Sequence, residues 1–264
     1  MRLEEQVLRE LHRAARDAGR RGIAVPSVDL ETVAARTGSR EAAQKAIQRL
    51  VRAGRLARVR KDLLVLPDTT GLLGVDLVDL VDAITPSPYL ITGGRALEHH
   101  ELTDQHFFGV IVLTSGSLRK LSFRSQSATF MRTDPANIWG WQDDERPHYA
   151  QPERAIVDVL NHSRYGVSLT QALDALLLAA DMGTAFLDRL LETVVRYDSP
   201  AAARRVGLVV ERLFGTAQAE PYRSLIGANR ASVLLRAHGP ADGPLDATWR
   251  VVVNAALEPE RVPT

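Results

Sequence analysis

The chain has no cysteine, which excludes a disulfide framework and any thiolate metal site. Lysine is nearly absent as well: Lys45, Lys61 and Lys120 are the whole set. None of them follows a glycine, so there is no Walker A loop to cradle a nucleotide's phosphates. None stands two residues after a glutamate, so a nuclease-like Asp…Glu-x-Lys pattern is missing, and no Gly-x-Ser-x-Gly elbow occurs. No apolar run approaches the ~18 residues of a membrane span. The opening MRLEEQVLRE is charged and helical in pattern, unlike a signal peptide. These absences predict a cytoplasmic protein that is not an enzyme, has no catalytic or metal-ligating residues and needs no cofactor.

What is present is arginine, unevenly spread. Residues 1–68 hold 15 Arg/Lys against 9 Asp/Glu, a net +6, while the other 196 hold 18 against 23, a net −5. A basic head on an acidic body suits local phosphate binding and differs from a uniformly cationic surface. Arginine favours bidentate contacts to phosphate or guanine, although a GC-rich genome produces the same bias. At 264 residues the chain suits one large domain or two ordinary ones.

The stretch from Asp29 to Leu66 is the most informative. Asp29 suits a helix N-cap, Leu30, Val33 and Ala34 supply an apolar stripe, and Gly38 a left-handed end. Ser39 then caps a second helix to about Ala53, with Ala43, Ala46, Ile47 and Leu50 at helical spacing on its buried face. The other face carries Arg40, Gln44, Lys45, Gln48, Arg49 and Arg52, read as free of acid. Two β-like runs follow, Leu56–Val59 and Leu63–Leu66, joined by Arg60-Lys61-Asp62. Helix, tight turn, helix and basic hairpin in that order predict a winged helix-turn-helix, with the second helix in a major groove and the hairpin on the backbone beside it. A solvated helix face is the bland alternative, since charge runs usually face water. Charge on both contact elements favours the DNA reading. The candidate base readers are Arg40, Gln44 and Gln48, and the candidate phosphate contacts are Lys45, Arg49, Arg52, Arg58, Arg60 and Lys61, with Ser39 at the helix start.

Around this stretch, residues 3–18 form an amphipathic first helix with Leu3, Val7, Leu8 and Leu11 on one face. Ile23–Val25 is a short strand for the hairpin to pair with, and Asp68–Gly71 a turn that ends the domain. Beyond it a helix is expected over Val75–Ile84, then strands at Tyr89–Thr92, Phe107–Thr114, Leu118–Phe123 and Ala128–Arg132. From Pro152 the pattern turns helical, with helices opening at Pro152, Leu169, Ala185 and Pro200 and a closing strand at Trp249–Val253. Arg204, Arg205, Glu211 and Arg212 are expected to face outwards. The fold class is therefore α+β: a winged domain over 1–68, and a larger mixed α/β domain over 75–264, sheet-rich at 86–150 and helical at 151–215.

Three constellations tempt a chemical reading. Glu98-His99-His100-Glu101 with Asp104 and His106 suggests a metal, but adjacent histidines on a helix point about 100° apart and the spacing matches no zinc pattern. Capping and lining a helix C-terminus is the simpler role. Gln142-Asp143-Asp144-Glu145 reads as an acidic surface loop, and Gly93-Gly94 before Arg95 as a turn with a weak phosphate-site signal.

Three further segments carry a resemblance. YLITGGRALEHHELTDQ (Tyr89–Gln105), QPERAIVDVL (Gln151–Leu160) and AARRVGLVVERLF (Ala202–Phe214) follow the basic head in that order. Together they resemble AbiEi-type antitoxins, whose signatures are an Ala-Leu…His-Gly-Leu-Thr-x-Gln stretch, an Asp-Pro-Glu-Lys/Arg helix start and an Arg-Arg-Leu-Gly helix. The chain departs from that family at Glu101, where Gly is usual, and at Asp62-Leu63-Leu64 in the hairpin.

The resemblance implies an antitoxin and transcriptional autorepressor of a type IV toxin–antitoxin (abortive infection) operon. Its partners would be double-stranded DNA, as inverted repeats upstream of its own operon, and a nucleotidyltransferase-like toxin counteracted without a stable complex. Two other readings stay open: a ligand-responsive winged-helix repressor, and a protein that neutralises its toxin by direct contact.

Overall fold

The computed structural model describes residues 2–20, 22–61, 63–67, 74–143, 145–183, 185–228 and 231–260. The chain is mixed α+β and forms two compact units, one of residues 1–86 with 120–128, the other of 87–119 with 129–264.

In the first unit the order is α1 (Leu3–Asp17), β1 (Ile23–Ala24), α2 (Pro26–Thr37), α3 (Arg40–Arg52), β2 (Ala57–Arg60), β3 (Leu63–Val65) and α4 (Leu77–Ile84). Helical spacing puts Val7, Leu11 and Ala15 of α1, Leu30 and Val33 of α2, and Ala43, Ala46, Ile47 and Leu50 of α3 into one core. The strands form a sheet in the order β1-β3-β2, with Ile23 opposite Val65 and Arg58 opposite Leu64. Leu64 and Leu66 close the core from the sheet side.

Two expectations are corrected here. Asp29 is not an N-cap: α2 begins three residues earlier at Pro26, because proline's fixed φ and missing N–H suit a first helical position. Asp29 instead lies buried in the first turn, accepting from the Val25 N–H at 2.8 Å and from both Nη atoms of Arg20 at 2.5 and 3.1 Å. The domain end expected at Asp68–Gly71 lies outside the described residues, and the units divide at Pro86, not before residue 75. The reason is that α4 packs on β1 and on the strand at 121–123, both of which lie in the first unit.

The second unit starts with β4 (Tyr89–Thr92), α5 (Gly94–His99) and β5 (Gly109–Thr114), while β6 (Leu121–Phe123) belongs to the first unit and β7 (Gln126–Arg132) begins in the first and ends in the second. The strand order of their sheet is β4-β5-β7-β6. Helices α6 (Pro152–Asn161), α7 (Leu169–Asp181), α8 (Phe186–Tyr197) and α9 (Pro200–Phe214) follow, with a one-turn α10 (Thr216–Ala219). Short strands β8 (Val233–Leu234), β9 (Leu245–Asp246) and β10 (Val251–Val252) pair in the order β8-β10-β9.

Helix α6 is the centre of this unit, and all its residues from Glu153 to Asn161 are buried. A buried helix that keeps charge must pair it. Asp158, fully buried, accepts from Thr92 Oγ1 of β4 at 2.7 Å, Arg154 Nε at 3.1 Å and Tyr197 Oη of α8 at 3.0 Å. One carboxylate thus ties strand, helix and helix together.

Helix α9 departs from expectation. Arg204 is buried and Arg205 half-buried, and both donate to backbone carbonyls: Arg204 to Ala231 and Ile226, Arg205 to Leu234 at 2.7 Å. Glu211 accepts from the indole N–H of fully buried Trp249, and Arg212 pairs with Asp246 at 3.5 Å. The C-terminal segment covers most of the helix face that charge alone assigned to water, while Arg212 stays exposed as expected. At Gly207 a Cβ would fall inside the Trp249 ring, so only glycine admits that indole.

Candidate nucleic-acid interface

Helices α2 and α3 meet across a two-residue turn. Gly38 ends α2 with φ 94°, a left-handed conformation that costs glycine little, and Ser39 Oγ accepts from the Ala42 N–H at 3.4 Å to open α3. With Ala43, Ala46, Ile47 and Leu50 inside, Arg40, Gln44, Lys45, Gln48, Arg49 and Arg52 are all exposed along the opposite face. Sequence periodicity assigned those two faces, and the structure brings the six residues together as one surface.

That surface is not free of acid, contrary to expectation. Lys45 pairs with Glu41 at 2.6 Å, Arg40 with Glu31 of α2 at 3.4 Å, and Arg49 with Glu4 of α1 at 2.8 Å. Arg55 pairs similarly with Glu5 at 2.7 Å. Glu4 and Glu5 are held below the ordinary carboxylate range, first by their hydrogen bonds to Arg49 and Arg55 respectively. Gln44, Gln48 and Arg52 have no side-chain partner among the described residues. Exposed pairs of this kind contribute little to stability, so phosphate can replace the carboxylates without breaking the fold.

The hairpin places Arg58 and Lys61 at the surface, with Arg60 half-buried. Arg58 donates to the Lys61 carbonyl at 3.3 Å across the turn, and the register shifts between Arg58 and Arg60. Asp62, expected at the hairpin tip, lies outside the described residues. Ser39 acts through the helix start, its side chain being occupied with Ala42.

The other constellations have structural partners. His100 Nε2 is 2.9 Å from the Ala150 carbonyl and His99 stacks on Tyr149 at 3.9 Å between ring centroids. Glu98 binds Arg95 at 3.0 Å, His106 at 2.8 Å and the Phe107 N–H at 3.1 Å. The Gly93-Gly94-Arg95 turn therefore has its arginine engaged, and Gly94 is pressed against the Phe107 ring. In the acidic loop at 142–145, Asp144 lies outside the described residues.

Residues 30–146 match the model of a family of unknown function, DUF6088. No curated protein matches the chain. Among solved structures, the crystal structure of the RV2827C protein from Mycobacterium tuberculosis is similar, with a TM-score of 0.63 and 14% sequence identity. The likeness covers 94% of this chain and 90% of that one, and it concerns the fold. No described helix is long and apolar enough to cross a membrane.

Proposed function

We propose that the first unit is a winged helix-turn-helix that binds double-stranded DNA, and that the protein is a cytoplasmic transcriptional autorepressor. The observation that carries the reading is the exposed face of α3, which sets two amides and four cations on one side of a helix that follows a Gly38-Ser39 turn. Amides and guanidinium groups at that spacing suit base edges, and the flanking cations suit phosphates. The hairpin of β2 and β3 supplies the second basic element a wing requires.

The antitoxin role rests on the resemblance to AbiEi-type proteins. Its supporting segments correspond to β4 with α5, to α6 and to α9, the elements that frame the second unit's core. On this reading the protein counteracts a nucleotidyltransferase-like toxin and has no catalytic activity of its own.

The deciding experiment is a binding titration of the whole chain on DNA from upstream of its own reading frame, beside scrambled DNA, at two salt concentrations. Preference for the native fragment by at least ~10³ is expected of a specific repressor. Lys61→Ala should weaken all sequences alike and lower the salt slope by about one, whereas Gln48→Ala should relax discrimination at one base position. Equal affinity for native and scrambled DNA would remove the repressor reading. Co-expression with the product of an adjacent nucleotidyltransferase frame tests the antitoxin role, and unrelieved growth arrest would sink it.

A further inference from the structure

A cavity of about 380 Å³ lies within the second unit, among β5, β7, the 135–139 segment, α6 and α8. Arg132, Asn137, Trp139, Arg154, Tyr165 and Tyr197 supply its polar and aromatic wall, with Leu113 and Met131 adding apolar surface. No carboxylate among the described residues lines it. The nearest acid in the network, Asp158, is already shared by Thr92, Arg154 and Tyr197.

Arg154 is the unusual member. It is 4% exposed, and its guanidinium lies 4.2 Å from the Trp139 ring centroid and 4.8 Å from that of Tyr197. Its Nε donates to Asp158 at 3.1 Å and its Nη2 to the Asn137 carbonyl at 3.3 Å, but its buried Nη1 has no acceptor. A buried charged donor left unsatisfied is uncommon and calls for an acceptor. Arg132 stands exposed on the same wall, and Arg196 lies 4.3 Å from the Trp139 ring. Asp158 offsets the charge of Arg154, and Arg132 on the wall with Arg196 beside the Trp139 ring leaves the balance around the cavity positive.

The volume is too large for a bare inorganic ion and falls in the ~300–1,000 Å³ range of small-molecule sites. We propose that this cavity binds a small organic anion of mononucleotide size, its phosphate or carboxylate received by Arg132 and Arg154 and its ring body by Tyr165, Met131 and Leu113. Arg132's planar fork can receive either anion in two parallel hydrogen bonds while Arg154 adds its Nη1, so the shared chemistry is an oxyanion on an unsaturated ring. The site belongs to the second unit alone and does not depend on the DNA-binding reading.

The test is calorimetric titration of the full chain with AMP, GMP, CMP and UMP, and in a second arm with benzoate and indole-3-acetate, against uncharged adenosine and indole as controls. At least one anion should bind saturably with Kd below about 1 mM, and at least tenfold tighter than its uncharged counterpart. The first arm identifies an organic phosphate and the second a carboxylate. Arg154→Lys should abolish binding; because Arg154 also supports the fold, exposed Arg132→Gln is the second variant, expected to weaken binding about tenfold at an unchanged melting temperature. No binding in either arm, equal binding of the uncharged controls, or full affinity in Arg132→Gln would overturn the proposal.

Discussion

Removing the charge of Asp158 should uncouple the second unit's core. In Asp158→Asn the amide oxygen can take the place that accepts from Arg154 Nε and Tyr197 Oη, and the amide nitrogen can face Thr92, whose hydroxyl rotates to accept. Shape is kept, but the guanidinium of Arg154 then lies buried without its counter-charge. Breaking a buried pair from one side costs ~3–5 kcal/mol. The Trp139 and Tyr197 rings against Arg154 offset part of that, by about 1 kcal/mol together at the lower end of such contacts. A net loss of ~2–4 kcal/mol is therefore expected, a large share of the ~5–15 kcal/mol that holds a domain folded. The three tryptophans, Trp139, Trp141 and Trp249, all lie in the second unit, so urea unfolding followed by their fluorescence reports on that unit. Arg154→Met/Asp158→Leu should be less damaged than the sum of its two single changes, because it removes both charges together. A loss under ~1 kcal/mol in Asp158→Asn, or strict additivity in the double variant, would refute the account of that network.

Gly207→Ala should cost at least ~2 kcal/mol by driving a methyl group into Trp249, read as a lower midpoint in the same urea titration. Glu101→Gly should stabilise by ~0.5–1 kcal/mol, since Glu101 holds φ 58° where a side chain is strained; a fall in melting temperature would contradict this. His162 is held below the ordinary imidazole value, first by desolvation, while its Nε2–H donates to Tyr197 Oη at 3.0 Å. The unfolded chain then takes the proton more readily, so stability is retained above a pH of about 6.5 and lost as pH falls below it. His12 and His99 shift in the same direction for the same leading reason. Melting temperatures recorded from a pH of about 7.5 to about 5.5 should fall, with a smaller fall in His162→Gln.

What the sequence made legible is local. The Gly38-Ser39 turn, the α3 faces and Pro152 opening α6 follow from propensity and periodicity within a dozen residues. Arg204 and Arg205 look like a solvated pair by the same logic. They are enclosed because the carbonyls of Ile226, Ala231 and Leu234 lie over α9, a contact that no periodicity encodes. The acids on the α3 surface were illegible for a similar reason. Glu4 and Arg49 are 45 residues apart, and only the packing of α1 against α3 brings them to 2.8 Å. Only Glu41 with Lys45 was readable, as an (i, i+4) pair. Arg154 was visible as part of a helix start, but its cavity is assembled from six separate parts of the chain.

Those carboxylates have a thermodynamic consequence for a DNA-binding α3. Each of Glu4, Glu31 and Glu41 is an internal competitor for the cation that phosphate would claim. When DNA displaces one of them, the released acid gathers sodium or potassium from solution, and this uptake subtracts from the counterions that the duplex sheds. The salt dependence of binding should then be shallower than the tally of phosphate contacts implies. Because phosphate attraction alone is partly cancelled in this way, random duplex would be held weakly, and occupancy would depend on the contacts that Gln44 and Gln48 make to base edges.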